Sequence, residues 1–173
     1  MKFDKQPKHL KNNLIELIPL ESNHFEMLFE VASDPLVWEQ HPNQNRYKRA
    51  IFKTFFEGAM QSDGAFLIID VGTKEVIGSS RFYDFDEKDN AVLIGYTFIA
   101  RKYWGKGFNK SLKNLMLVYA FKFVDRVYFH IGSQNMRSQM AIEKIGAQKT
   151  DEKLIEYFGE TPKLNYIYLI NKK

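Results

Sequence analysis

In LIELIPL, from Leu14 to Leu20, apolar and polar positions alternate closely enough to predict a first strand. The period then changes. Phe25, Leu28, Phe29 and Ala32 recur at helical spacing and predict a helix over Glu21–Asp34, which Pro35 should end. WEQHPNQN, Trp38–Asn45, reads as loop. A second helix follows over Arg46–Gln61, with Ile51, Phe52, Phe55, Phe56 and Ala59 on its apolar stripe. Three strands come next, Ala65–Val71, Glu75–Phe85 and Ala91–Ile99. Their short turns, GTK and DEKDN, make the run an antiparallel meander. Leu112, Leu115, Met116, Tyr119, Ala120 and Phe123 then carry the clearest helical period in the chain. A strand over Arg126–Gly132 behind that helix implies a parallel pair, because a crossover helix returns the chain in the same direction. Asn135 as N-cap and Gly146 as stop bound a short helix, and KLIEYF and KLNYIYLI, joined by GETP, read as a closing hairpin. The pattern predicts an α+β fold: a mixed, mostly antiparallel central sheet flanked by helices.

A length of 173 residues, 45% apolar, suits a single domain with its own core, spanning 1–173 and concentrated in about 14–171. There is no cysteine, which removes disulfides, thiolate metal sites and a cysteine nucleophile. His9, His24, His41 and His130 show no metal-ligand spacing, so no metal is expected. The first residues carry no apolar signal core, and the longest nearly unbroken apolar run, about ten residues from Ala91 to Ala100, is far short of the roughly 20 that span a bilayer. A cytoplasmic home without membrane attachment is the simplest expectation. Twenty-five basic and 21 acidic residues give a mild, scattered net charge of +4. The nearest thing to a basic patch, RYKR at 46–49, reads as a solvated helix start, so nucleic acid is not an expected partner. A mild positive excess does favour a small phosphorylated anion.

RKYWGKGFNKSL, Arg101–Leu112, places Gly105 and Gly107 between the last meander strand and the most periodic helix. Glycine loops that open a helix suit phosphate binding, since the backbone can approach closely and the helix start offers free N–H groups. Two familiar patterns fail. G-x-G-x-x-G has Lys110 in its third glycine position. The P-loop matches at Lys110-Ser111 but has Trp104 and Asn109 where its glycines belong. The pattern [QR]-x-x-G-x-[GA] fits from Lys102 to Gly107, with Lys in place of Gln or Arg. With Ile94-Gly95-Tyr96, Trp104-Gly105-Lys106-Gly107, Asn135-Met136-Arg137-Ser138 and Lys144-Ile145-Gly146, the chain resembles the GNAT superfamily of acetyl-CoA-dependent N-acetyltransferases. It is most similar to the ribosomal-protein N-terminal acetyltransferase branch.

That resemblance implies acetyl-CoA as co-substrate and an amine as acceptor, a protein N-terminus or a small molecule, in a monomer or homodimer. Backbone N–H groups from Gly105 to Lys110, through Lys106, Gly107, Phe108 and Asn109, would cradle the pyrophosphate. A bulge would splay Ala91–Ile99 from Arg126–Gly132, leaving Phe98, Ile99 and Ala100 to bond the pantetheine amides. Asn135 would touch the cofactor, serve as the helix cap, or both. Lys106 and Lys110 either add charge near the phosphates or are simply solvated. Relatives often carry Glu two residues before the Gly of I-G-Y; here that position is Leu93. Glu39 and His41, or Arg81, Tyr83 and Asp84, are the alternatives for meeting the acceptor. Ser138 is either the acid for the departing thiolate or a first-turn hydroxyl. With Leu93 where a carboxylate often sits, a GNAT-like CoA-binding protein without turnover is the competing reading.

Overall fold

The computed structural model describes residues 2–173. Eight strands form one sheet: β1 (Leu10–Lys11), β2 (Ile15–Pro19), β3 (Ala65–Asp70), β4 (Val76–Asp86), β5 (Ala91–Ile99), β6 (Arg126–Gly132), β7 (Gln148–Ile155) and β8 (Lys163–Asn171). Their order is β1-β2-β3-β4-β5-β6-β8-β7. Every pairing is antiparallel except β5 with β6. Four helices accompany them: α1 (Phe25–Ala32), α2 (Arg49–Gln61), α3 (Phe108–Ala120) and α4 (Met136–Lys144). Among the described residues, no helix is long and apolar enough to cross a membrane.

Both faces of the sheet are covered, so its central strands are apolar on both sides. Phe66 and Ile68 of β3 join Ile15, Leu17, Ile94, Leu112, Met116 and Val127 in a core under α3. The alternate residues Ala65, Leu67 and Ile69 join Leu28, Trp38, Phe52 and Phe55 in a second core under α1 and α2. The two-residue period of a strand divides β3 between these cores.

Several boundaries differ from the sequence pattern, each for a packing reason. The helix expected from Arg46 begins at Arg49, and Arg46 is 3% exposed instead of lying on a solvated helix start. Its guanidinium is drawn inward to a bidentate pair with Glu160, at 2.9 and 3.0 Å. The expected Glu21–Asp34 helix divides into a 3₁₀ turn at Ser22–His24 and α1. The buried face of α3 is rotated from the predicted stripe: Leu115, Tyr119 and Phe123 are half-buried, whereas Lys113 and Leu117 are buried. α3 ends at Ala120 because the chain turns there, through Phe123 N–H to the Ala120 carbonyl, towards β6. The closing hairpin uses Gln148–Ile155 as its first strand, with Leu154 opposite Leu164. Residues 148–154 are all exposed, so this edge strand carries no apolar alternation to betray it. Tyr157, expected in that strand, leaves it and buries its ring.

Candidate active site

Between β5 and β6 the sheet opens. The two strands pair only at Ala91↔Arg126, Val92↔Val127 and Leu93↔Tyr128. Beyond Leu93, β6 bonds β8 alone, and β5 turns away at a bulge. Three residues of β4, Ser79 to Arg81, there oppose four of β5, Gly95 to Phe98, and Tyr96 takes a φ of 52°. The result is a cleft of about 490 Å³ that continues up to the glycine loop.

At that upper mouth Gly105 and Gly107 have φ of 70° and 83°, the left-handed region that an L side chain enters only at a cost. A Cβ on either would find no atom within 4 Å, so the loop faces open space. Gly107 is the N-cap of α3 and supplies no side-chain cap, which leaves the first N–H groups of the helix free. Gly105, Gly107, Phe108, Asn109 and Lys110 line the cleft; Lys106 is exposed and does not. Trp104 anchors the loop: its indole N–H donates to the Ile99 carbonyl at 2.8 Å, and the Arg137 guanidinium stacks 3.7 Å from its ring centre.

Along the wall, Phe98 and Ile99 line the cleft but Ala100 does not. The Ala100 N–H donates to Ile77 and its carbonyl accepts from Tyr103, so both groups are already used. A strand turns its backbone groups alternately to either side, so with Ala100 facing β4 it is Ile99 that faces the opening. On the far side Asn135 is buried and caps α4, accepting from the Ser138 N–H at 3.2 Å. Ser138 lines the cleft from the first turn of that helix.

The lower end is built from side chains. His41, Tyr83, Tyr96, His130, Tyr157 and Arg46 line it. Arg46 lies between the rings of Trp38, Phe55 and Tyr157, at 5.6, 4.8 and 5.5 Å. Arg81 stands behind the lining, 3.7 Å over the Tyr96 ring; burial, with a smaller contribution from Arg46, lowers its pKa to about 10. His41 is held neutral, its pKa lowered to about 3 by burial and then by the charges of Arg46 and Arg137. Burial raises the pKa of Tyr83 and Tyr157, which keeps both hydroxyls protonated. The loop that brings in His41 is pressed against β6, where a Cβ on Gly132 would meet Pro42 Cγ at 2.5 Å. Glu39 is exposed and outside the lining. Leu93 sits in the last paired rung, and Asp84 is exposed. Among the described residues, none of the side chains lining the cleft is a carboxylate.

Sequence reasoning missed Arg46, Tyr96, Tyr157 and Lys113. Tyr96 stood inside the I-G-Y motif, a signal that could have found it. Arg46 and Tyr157 reach the site only through long-range packing.

The fold and this cleft define a mixed α+β domain whose one parallel strand pair is splayed open. The chain belongs to the GNAT acetyltransferase family: the model of the acetyltransferase (GNAT) domain matches residues 15–148. Solved structures with the same fold include a GCN5-related N-acetyltransferase from Brucella melitensis, at 18% identity and a TM-score of 0.80, covering 98% of this chain and 82% of that one. A GNAT-family acetyltransferase from Bacillus anthracis superposes at 22% identity and a TM-score of 0.74, covering 94% and 98%. Mycobacterium smegmatis RimJ, in complex with CoA-disulfide, does so at 13% identity and a TM-score of 0.70, covering 91% and 81%. No curated protein matches the chain.

Proposed function

We propose that the chain is one N-acetyltransferase domain, working in the cytoplasm, that moves an acetyl group from acetyl-CoA to a primary amine within a ternary complex. The observation that carries the reading is the open half of β5, leading directly to a glycine loop at an uncapped helix start. Such a groove suits an extended arm ending in a pyrophosphate. Acetyl-CoA supplies the activated acyl group as a thioester.

The chain's own groups divide the work. N–H groups of Gly107, Phe108, Asn109 and Lys110 hold the phosphates, with the Lys110 ammonium beside them. The Ile99 N–H bonds the arm, and Asn135 holds the opposite wall while capping α4. Ser138 donates a hydrogen bond towards the sulfur. At the lower end Tyr83, Tyr96 and Tyr157 shape the acceptor site, with Arg46 and Arg81 fixing their rings. Among the described residues no carboxylate lines the cleft to act as base, and His41 stays neutral far below physiological pH. The acceptor therefore enters as the free amine.

The test is calorimetry with acetyl-CoA, followed by thiol release over a panel of amines that includes peptide N-termini. Saturable binding with release on at least one amine supports the reading. Binding with no release on any leaves a CoA-binding protein without turnover, and no binding refutes both.

A further inference from the structure

Lys113 occupies a place that its residue type makes costly. It lies on the buried face of α3 at 7% exposure and lines the cleft. Its ammonium donates to Thr97 Oγ1 at 2.6 Å, and Thr97 Oγ1 lies 2.8 Å from Ser80 Oγ. Its nearest ring is Phe129 of β6, 5.8 Å away, and no carboxylate pairs with it among the described residues. The other titratable groups lining the same cleft are Lys110 on α3, Arg137 and Lys144 on α4, His130 on β6, His41 and Arg46 from the segment before α2, Tyr83 on β4, Tyr96 on β5, and Tyr103 and Tyr157 from loops; among the described residues none is a carboxylate. An amine so desolvated sheds its proton easily, and its pKa falls to about 7.

Thr97 is part of the bulge that opens the sheet. An arm held by the glycine loop and running along the open edge of β5 past Ile99 arrives at Thr97 and Tyr96. Nζ of Lys113 therefore waits where the arm ends, on the α3 side. The aromatic pocket lies on the other side, because Tyr96 and Phe98 pack towards α2.

We propose that Lys113 is a catalytic acid that protonates the departing sulfur, an inference that rests on the acetyl-CoA reading above. As the acceptor nitrogen bonds the acetyl carbon, the C–S bond breaks and its electron pair passes to sulfur. The Lys113 ammonium gives that sulfur its proton. The proton lost by the acceptor nitrogen goes to solvent, and solvent reprotonates Lys113. A pKa of about 7 sits below the roughly 8.5 of a free thiol, so the transfer runs downhill. The Ser138 hydroxyl, which holds its proton far more tightly, can share a hydrogen bond but cannot deliver that proton as readily.

The test uses Lys113→Met, which keeps the volume and removes the buried amine, so it should melt no lower than the native chain. Lys113→Gln, polar but without a titrating proton, gives a second reading that does not depend on the behaviour of one variant. Turnover is followed against pH in the native chain and in both variants. An acid that loses its proton near pH 7 stops contributing above that pH, so the ratio of native to variant kcat should fall as pH rises through about 7. Turnover of acetyl-CoA should fall by about 10²-fold in both, with KM for acetyl-CoA nearly kept. A ratio that stays constant with pH, or native turnover in either folded variant, overturns the assignment. If native protein binds no acetyl-CoA, the reading beneath it falls too; binding with unchanged variants removes only the role of Lys113.

Discussion

The two ends of the cleft are built on opposite principles. The upper end, at Gly105 and Gly107, is backbone: exposed, uncapped, and conformed by two positive φ angles, with nothing beyond the chain neighbours within 4 Å of where a Cβ would stand. The lower end is side chains packed on side chains, with a nearly buried guanidinium–carboxylate pair surrounded by three rings. The first can be made by a dozen consecutive residues. The second draws on Trp38, Arg46, Tyr83, Tyr96, Tyr157 and Glu160, spread over most of the chain. A generic ligand group such as a pyrophosphate suits the first kind of site. An acceptor that distinguishes one protein from its relatives suits the second.

The largest expected effect falls at the lower end. Glu160→Gln leaves Arg46 charged, unpaired and nearly buried, which should cost about 3–5 kcal/mol of folding stability in denaturant melts. Acetyl-CoA affinity, measured where the variant is still folded, should change little; an equal loss at the upper end would break the division between the two. Gly107→Val addresses the other end. A Cβ there meets nothing within 4 Å beyond its chain neighbours, so the fold should persist. Holding valine in the left-handed region costs about 1–3 kcal/mol, and a loop that relaxes to escape this should bind acetyl-CoA about 10–10²-fold more weakly by calorimetry. Native affinity in the folded variant would remove the loop from the phosphate site.

A third effect is one of pH. The His41 pKa is about 3 in the fold against an ordinary 6.5, so between those values the unfolded chain binds the extra proton. Native stability therefore rises with pH across that window and is penalised below it. His41→Phe removes this slope, and its melting temperature should gain on the native value as pH falls from 6.5 towards 3. A constant difference across that range would show that His41 is not desolvated. The smallest effect belongs to Ser138→Ala, a few-fold in kcat with acetyl-CoA affinity kept, since water can replace a neutral donor. A drop as large as that expected of Lys113→Met would make the hydroxyl the acid instead.

How much of this was legible in the chain follows from the range of the interactions involved. The glycine loop, the Asn135 cap, the Gly146 stop at φ 98° and the meander all depend on neighbours a few residues away, and the sequence displays them. The Trp104 ring could be placed beside the loop, but not the Arg137 that stacks on it. Lys113 was hidden by its own periodicity, because the stripe read from Leu112, Leu115 and Met116 leaves it at the margin. Only a sheet that opens beneath α3 turns that margin into a buried cleft wall. Ala100 shows the converse: the motif put it on the pantetheine, and Ile77 and Tyr103 use its backbone groups.

By itself the sequence determined the α+β class, the order of most elements, and a glycine loop at the start of the most periodic helix. These follow from local φ preferences, capping and the two periods of apolar residues, none of which needs the rest of the molecule. Tertiary structure alone decided that β5 and β6 share three rungs and then part, that β8 enters the sheet before β7, and that Arg46 turns inward to Glu160. The proton affinities of His41 and Lys113 were decided there as well. A pKa is set by the solvent and charge around a group, and those exist only once distant segments have come together.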